Sequence, residues 1–518
     1  MQMTHPSEKV RDNLDWLIWV FIVICLIYRI YIIYFPFSLF HYLVPPGDDA
    51  INHLKIIEGI LSGNFSSTYP MLFHIMIAYP SKLFHIDPLR FMKWFTPTLV
   101  ALPSIAIFVF LRKNFGRFAA LVGFTIALLS SNYALVAFGD GNYPNILAAG
   151  FFLPLCLMYL TYATKSNKIS NYVGVIVFAV LIAFTHHLTT ALLMAILVAN
   201  LIVLLLWNRR EKISPGLRRL TIFVLSTLAV LAVVIGLTPV RSLFLSAVSE
   251  IFHSGGVSQG VAFIKPIEFA EYPAMIGPLV WSGGLIAIFY LIFMLSKTST
   301  KTNKGVILFV LVWFAVTFLL SRTAAAGLPG RFAREIALPL ILAMAIAISD
   351  LYKQFDFKIQ KVIGLGLLGL IVSVNLVQVN GGIFASPEYF NQVVWFSRMD
   401  LAKATYIKSA TNSKDVIYSN RTTPYMSHFA DRTIIYDIEK QLKDGSFNTP
   451  DKAGAFVFIG AKTDANPNSN TYPFFANFEQ TTAALNEIAP SLTLIHKFSD
   501  GSALYVIPEQ KKKSARVR

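Results

Sequence analysis

Apolar runs about as long as a bilayer is thick recur along this chain, and no other feature limits its fold so strongly. A helix needs about 20 apolar residues to cross the hydrocarbon core. Runs near that length fall at 16–35, 91–111, 118–138, 146–163, 171–187, 189–207, 220–239, 273–296, 305–321, 335–350 and 362–380. Lipid offers no partner for backbone polar groups, so each run is expected to be helical. The expected fold is an all-α polytopic membrane domain of about eleven spans. Composition agrees: 55% of the 518 residues are hydrophobic and 14% are charged, where a soluble chain carries about a quarter charged residues. The 16–35 run is too long for a cleavable signal peptide and reads as an anchoring span.

The net charge of +16 needs no nucleic-acid partner, because membrane proteins gather Lys and Arg in their cytoplasmic loops. With the N-terminus inside, the basic loops around Arg112 and Lys113, Arg209 to Arg219, Lys297 to Lys304 and Lys353 to Lys361 all fall on the cytoplasmic side. Counting the short apolar segment 70–85 as a span would invert most of them. That segment, with Pro80 inside and His74 and Lys82 on it, is therefore expected at the membrane interface. Cys25 and Cys156 both lie in apolar runs, so neither a disulfide framework nor a cysteine metal site is expected.

Odd parity puts the rest of the chain outside the cell. Residues 1–382 form the expected membrane domain, with a long first outer loop at 36–90, and 383–510 a small extracytoplasmic α/β domain. Strand-like runs at 415–419, 433–436 and 455–460 alternate with helical stretches, and a hairpin follows around Ser499-Asp500-Gly501. The basic end, 511–518, reads as disordered.

Two adjacent carboxylates, Asp48 and Asp49, follow Pro45-Pro46-Gly47 at the start of that first outer loop. Ile51, Leu54, Ile57 and Leu61 then trace the apolar face of a short helix suited to a membrane surface. Either aspartate can cap this helix, and one would suffice; a pair at the bilayer edge also suits chemistry. Three more polar groups sit at the outer ends of spans: Asp140-Gly-Asn142-Tyr143-Pro, Thr185-His186-His187, and Arg322 with Gly330-Arg331-Phe-Ala-Arg334-Glu335. Ionisable groups at membrane depth mark functional sites. Each also has an ordinary reading: a turn at Asp140, a capped hairpin at His186, lipid-phosphate anchors at the arginines.

These motifs together resemble the type-C glycosyltransferase superfamily of polyprenyl- or dolichyl-phosphate-sugar-dependent membrane enzymes, such as protein mannosyltransferases and aminoarabinose transferases. The resemblance rests on Gly47-Asp48-Asp49 in a long first outer loop, the Tyr69-Pro-Met-Leu-Phe-His74 and Asp87-Pro88-Leu89 segment, Asn142-Tyr-Pro after the third span, the His186-His187 segment, the arginine-rich loop before the tenth span and a soluble C-terminal domain. It implies a lipid-phosphate sugar donor, a glycan, lipid or protein acceptor, and inversion at the anomeric carbon. It also implies an acidic residue of the first loop, Asp49 or Asp48, as base. Asp49 shares a helix face with His53 at i+4. Arg331 or Arg334 would hold the donor phosphate, and His53, Asp140, Asn142, Tyr143, His186 and His187 would bind or support substrate. The oligosaccharyltransferase branch adds a divalent metal. Here Asp49 with Asp140 could take Mg2+ or Mn2+, although the second outer loop has one aspartate in place of an acidic pair and the WWDYG-type signature is absent. The competing classes are a lipid-linked-glycan flippase, which calls for charges near mid-bilayer and broken helices, and a non-catalytic membrane scaffold. No Walker loop or HExxH is present, and the GxGxxG match at Gly364–Gly369 lies inside the apolar run 362–380, so neither ATP nor a dinucleotide is an expected ligand.

Overall fold

The computed structural model describes residues 8–39, 41–47, 49–64, 69–165, 168–207, 266–297, 301–323, 329–355, 396–419, 424–435, 454–460 and 489–508, with isolated positions within 225–236 and 359–373. The chain divides into two units. The first holds residues 1–39 and 53–380; the second holds 40–52 and 381–518. Residues 40–52, read from sequence as the start of the membrane domain's first outer loop, thus belong to the second unit.

Among the described residues, seven helices of the first unit are long and apolar enough to cross a membrane: Ile18–Phe35, Pro88–Phe115, Arg117–Gly139, Tyr143–Ala163, Pro278–Leu295, Lys304–Ser321 and Pro329–Lys353. The apolar helices Ile169–Thr185 and His187–Val203 are shorter. These nine cover nine of the expected runs. The other two, 220–239 and 362–380, lie mostly outside the described residues. Segment 70–85 contains the helix Leu72–Leu83, too short to be a span.

Local chemistry sets the boundaries. Asp87 caps the helix starting at Pro88, its carboxylate accepting from the Arg90 backbone N–H at 2.8 Å. Gly116, at φ +95°, turns the chain between two spans in a conformation that costs glycine little. His186 is a one-residue extended break between Thr185 and His187.

Pro329–Lys353 is the core of the unit, almost wholly buried, whereas most of Ile18–Phe35 is not. Hydrophobicity cannot drive helices together in lipid, so close packing must. Small residues provide it: a Cβ on Gly284 would stand 2.7 Å from Leu340 Cβ, and one on Gly283 2.8 Å from Met344 Cε.

Among its described residues the second unit has a five-stranded sheet in the order β2-β1-β3-β5-β4. Its strands are β1 Val416–Ser419, β2 Thr433–Ile435, β3 Phe456–Ile459, β4 Thr493–Lys497 and β5 Ala503–Val506. β1 runs parallel to β2 and β3, whereas β5 pairs antiparallel with β3 and β4. The helix Arg398–Ala410 opens with a capping box formed by Ser397 and Asp400. Its Lys403 is buried and ion-paired with Asp500 and, at 3.7 Å, with Asp400. Residues 42–45 join this unit through the Leu43 N–H to Phe396 carbonyl bond at 2.9 Å and the Tyr425 hydroxyl to Pro45 carbonyl bond at 2.7 Å.

Candidate active site

The helix Asp49–Leu61 has the expected periodicity: Ile51, Leu54 and Ile57 are buried, while Asn52, Lys55 and Glu58 are exposed. Asp49 is its first residue. Asp48, the residue before it in the sequence, lies outside the described residues. His53 shares the buried face. Its Nε2 lies 3.1 Å from the Gly141 carbonyl, and its Nδ1 lies 3.0 Å from His74 Nε2. His74 in turn places Nδ1 3.1 Å from the Pro70 carbonyl. Burial pushes the His53 pKa down to about 4, with the Gly141 carbonyl pulling it up and the Arg331 charge adding to the depression. Burial likewise takes His74 to about 3, helped by the neighbouring His53.

The turn that receives His53 carries the second polar group. Gly141 adopts φ +77°, which lets the chain leave the helix ending at Gly139 and re-enter one at Tyr143 within three residues. Asp140, in that turn, forms an ion pair with the buried Arg334. Asn142 and Tyr143 are buried, and the Tyr143 ring lies 6.0 Å from His53 and 5.8 Å from Phe138. Beneath them, Asn145 donates to Glu335 at 2.6 Å and the Tyr133 hydroxyl donates to the Asn145 side chain at 3.3 Å.

His186 shows how a histidine can serve as a cap. Its Nδ1 accepts the Thr189 backbone N–H at 3.3 Å and lies 2.9 Å from Thr189 Oγ1, so the hairpin-capping reading of this residue holds. The neighbouring His187 ring stands edge-on to Tyr69 at 5.5 Å. His186 Nε2, His187 Nδ1 and Glu335 Oε2 are buried without a hydrogen bond to any described residue. Arg331, half-buried, exerts its charge on His53, His186 and His187.

The first unit therefore brings together His53, Asp140, Asn142, Tyr143, Arg331, Arg334, His186 and His187. Asp49 lies in the second unit. The sequence offered Asp49 and Asp140 for a divalent metal, and the residues fit that role poorly. Among the described residues no three His, Cys, Asp or Glu side chains gather where they could share an ion. A hard dication wants about six oxygen donors, and Asp140 already faces the Arg334 guanidinium.

Sequence reading assigns no role to four residues of this cluster: His74, Asn145 and Glu335 stand within its motifs without one, and Tyr133 stands outside them. Glu335 had a usable signal, being a lone carboxylate at the head of the apolar run 336–347. Arg29 had the same one: it is buried within the first span, its guanidinium 3.5 Å from the Ser131 carbonyl. The partnerships of His74 and Asn145, 21 and 190 positions apart in the chain, had none.

No family model matches the chain, and no curated protein matches it in sequence. Solved structures do. The archaeal oligosaccharyltransferase AglB from Archaeoglobus fulgidus, in complex with an inhibitory peptide and a dolichol-phosphate, superposes with a TM-score of 0.61 at 12% identity, over 95% of this chain and 74% of its own. ArnT from Cupriavidus metallidurans, bound to undecaprenyl phosphate, gives 0.54 at 11% identity over 95% and 98%. The arabinofuranosyltransferase AftD from Mycobacteria gives 0.56 at 13% identity over 95% and 40%. Identities this low speak for the fold alone, and on that ground the chain has the fold of the type-C membrane glycosyltransferases.

Proposed function

We propose that this protein is an integral-membrane glycosyltransferase that moves a sugar from a polyprenyl- or dolichyl-phosphate lipid to a glycan, lipid or protein acceptor on the extracytoplasmic side. The observation that carries the reading is the polar cluster around Arg331, built from four separate stretches of a unit with the type-C transferase fold. An isolated lipid anchor would need no such company. In this reading Arg331 receives the donor phosphate, and Arg334, paired with Asp140, holds the turn at residues 140–142. A guanidinium suits a phosphate because its fork can engage two oxygens at once.

The base in this reading is Asp49 or Asp48. A sugar hydroxyl is a poor nucleophile until a carboxylate takes its proton, and such help is worth roughly 10²–10⁴-fold in rate. Single displacement at the anomeric carbon, with the lipid phosphate leaving toward Arg331, inverts its configuration. No step requires a metal ion.

The test is transfer of radiolabelled sugar from a polyprenyl-phosphate-sugar pool to membrane acceptors. Asn caps a helix as well as Asp does, so Asp49→Asn or Asp48→Asn keeps the helix and removes the proton acceptor. One of the two is expected to cut turnover by roughly 10²-fold or more with thermal stability unchanged. Full transfer by both variants assigns the carboxylates to capping and removes the base from this scheme.

A further inference from the structure

The contact between His53 and His74 poses a proton count that the transfer scheme does not use. His53 Nε2 faces the Gly141 carbonyl at 3.1 Å, and His74 Nδ1 faces the Pro70 carbonyl at 3.1 Å. A carbonyl oxygen only accepts, so each of these two nitrogens must carry its ring's proton. The other two, His53 Nδ1 and His74 Nε2, then face each other at 3.0 Å. With both rings neutral, lone pair opposes lone pair. All three contacts are satisfied only when the four nitrogens hold three protons, which gives the pair one positive charge.

The surroundings oppose that charge. Both rings are buried, and Arg331 adds its own positive field at His53. Tyr69, Phe73 and Tyr143 present rings to His53. His186 repels His53 when both are charged, and His187 lies beyond Tyr69. The carboxylate beside Gly141, that of Asp140, is engaged by Arg334. Asp49 opens the helix that carries His53 one turn later. An anion against Arg331 shifts the balance, because it cancels the arginine's field at His53, which adds to the burial that keeps the third proton out.

We infer that the His53–His74 pair takes up one proton when a phosphate-class anion binds beside Arg331, so that the pair and the arginine together form the anion's site. The inference rests on the phosphate role proposed above for Arg331. On binding, the proton enters the gap between Nδ1 of His53 and Nε2 of His74. It replaces a lone-pair clash with an N–H···N bond and makes both ring-to-carbonyl bonds charge-assisted. Neither ring then titrates alone; the pair gains and loses its proton as a unit. Linkage sets the sign: an anion that brings a proton with it binds more tightly as pH falls, by up to about tenfold per pH unit.

Calorimetric titration of the purified full-length protein in detergent tests this, run in two buffers of unlike ionisation enthalpy. The probes are sulfate and a farnesyl methyl phosphodiester. Both keep a fixed charge between about pH 5 and pH 8, so any proton taken up belongs to the protein. Uptake is expected to rise toward one proton per anion as pH is lowered from about 8 to about 5, to persist in His85→Asn and to vanish in His74→Gln. Uptake with the phosphodiester alone identifies a lipid headgroup as the anion, and uptake with both probes identifies a general anion site. Binding without uptake at any pH overturns the inference and leaves Arg331 as the donor-phosphate residue. Uptake that survives in His74→Gln overturns it too, since another group then carries the proton. Failure of the wild type to bind either probe overturns both this inference and the phosphate role of Arg331.

Discussion

Arg331 and Arg334 stand three positions apart on one short helix, and their surroundings give them different work. Arg334 is buried at 6% side-chain exposure and paired with Asp140. Removing one partner of a buried pair leaves the other charge uncompensated, which costs about 3–5 kcal/mol. Asp140→Asn is therefore expected to lower stability by that order, read from thermal unfolding in detergent. Arg331 is half-buried, and Arg331→Lys keeps its charge while losing the fork. That variant is expected to unfold at the wild-type temperature while its donor KM rises roughly tenfold, the loss of about 1.4 kcal/mol of binding. An unchanged donor KM would return Arg331 to the role of a lipid anchor. In the second unit, Lys403 is the counterpart of Arg334. Burial alone would raise the Asp500 pKa, but hydrogen bonds from Lys403 and Ser502 hold it below the ordinary carboxylate value. A depressed carboxylate stabilises the fold above its unfolded pKa, and that stability is lost as pH falls through the folded one.

Among the helices, glycine marks where one span must touch another. A methyl group on Gly284 would meet Leu340 Cβ at 2.7 Å and Cγ at 3.0 Å, side-chain atoms close to the backbone of the buried Pro329–Lys353 span. Gly305, on the helix Lys301–Ser321, has no atom within 4 Å of the same position. Overpacking a core contact costs about 1–3 kcal/mol, whereas glycine inside a helix is about 0.5–1 kcal/mol worse than alanine. Gly284→Ala is thus expected to destabilise and Gly305→Ala to stabilise slightly, compared side by side by thermal unfolding in one detergent. The opposite order would mean that the contact at Gly284 relaxes freely and does not fix the spacing of the two helices.

At the scale of the whole molecule, the charge pattern orients the chain. If the basic loops are cytoplasmic, the C-terminal unit is extracytoplasmic. In a background lacking Cys25 and Cys156, a cysteine replacing Ser469 should react with an impermeant reagent added to intact cells, and one replacing Ser214 should not. The reverse pattern would put the second unit inside. The sequence by itself marked the seven helices that are long and apolar enough to cross a membrane among the described residues, because hydrocarbon leaves a helix of fixed length as the only way to bury an apolar run. It also marked Asp140, His186, Arg331 and Arg334 as chemically unusual, because an ionisable group at the edge of an apolar run is conspicuous without any knowledge of its neighbours. Helical periodicity fixed the face on which His53 lies, but it says nothing about what that face meets. Only the tertiary structure decided that His53 meets His74 and the Gly141 carbonyl. The same holds for Asp140 pairing with Arg334 across 194 positions and for Pro45 bonding to Tyr425 across 380. Such pairings follow from how helices and strands pack in three dimensions, and residues so distant in the chain carry no local mark of each other.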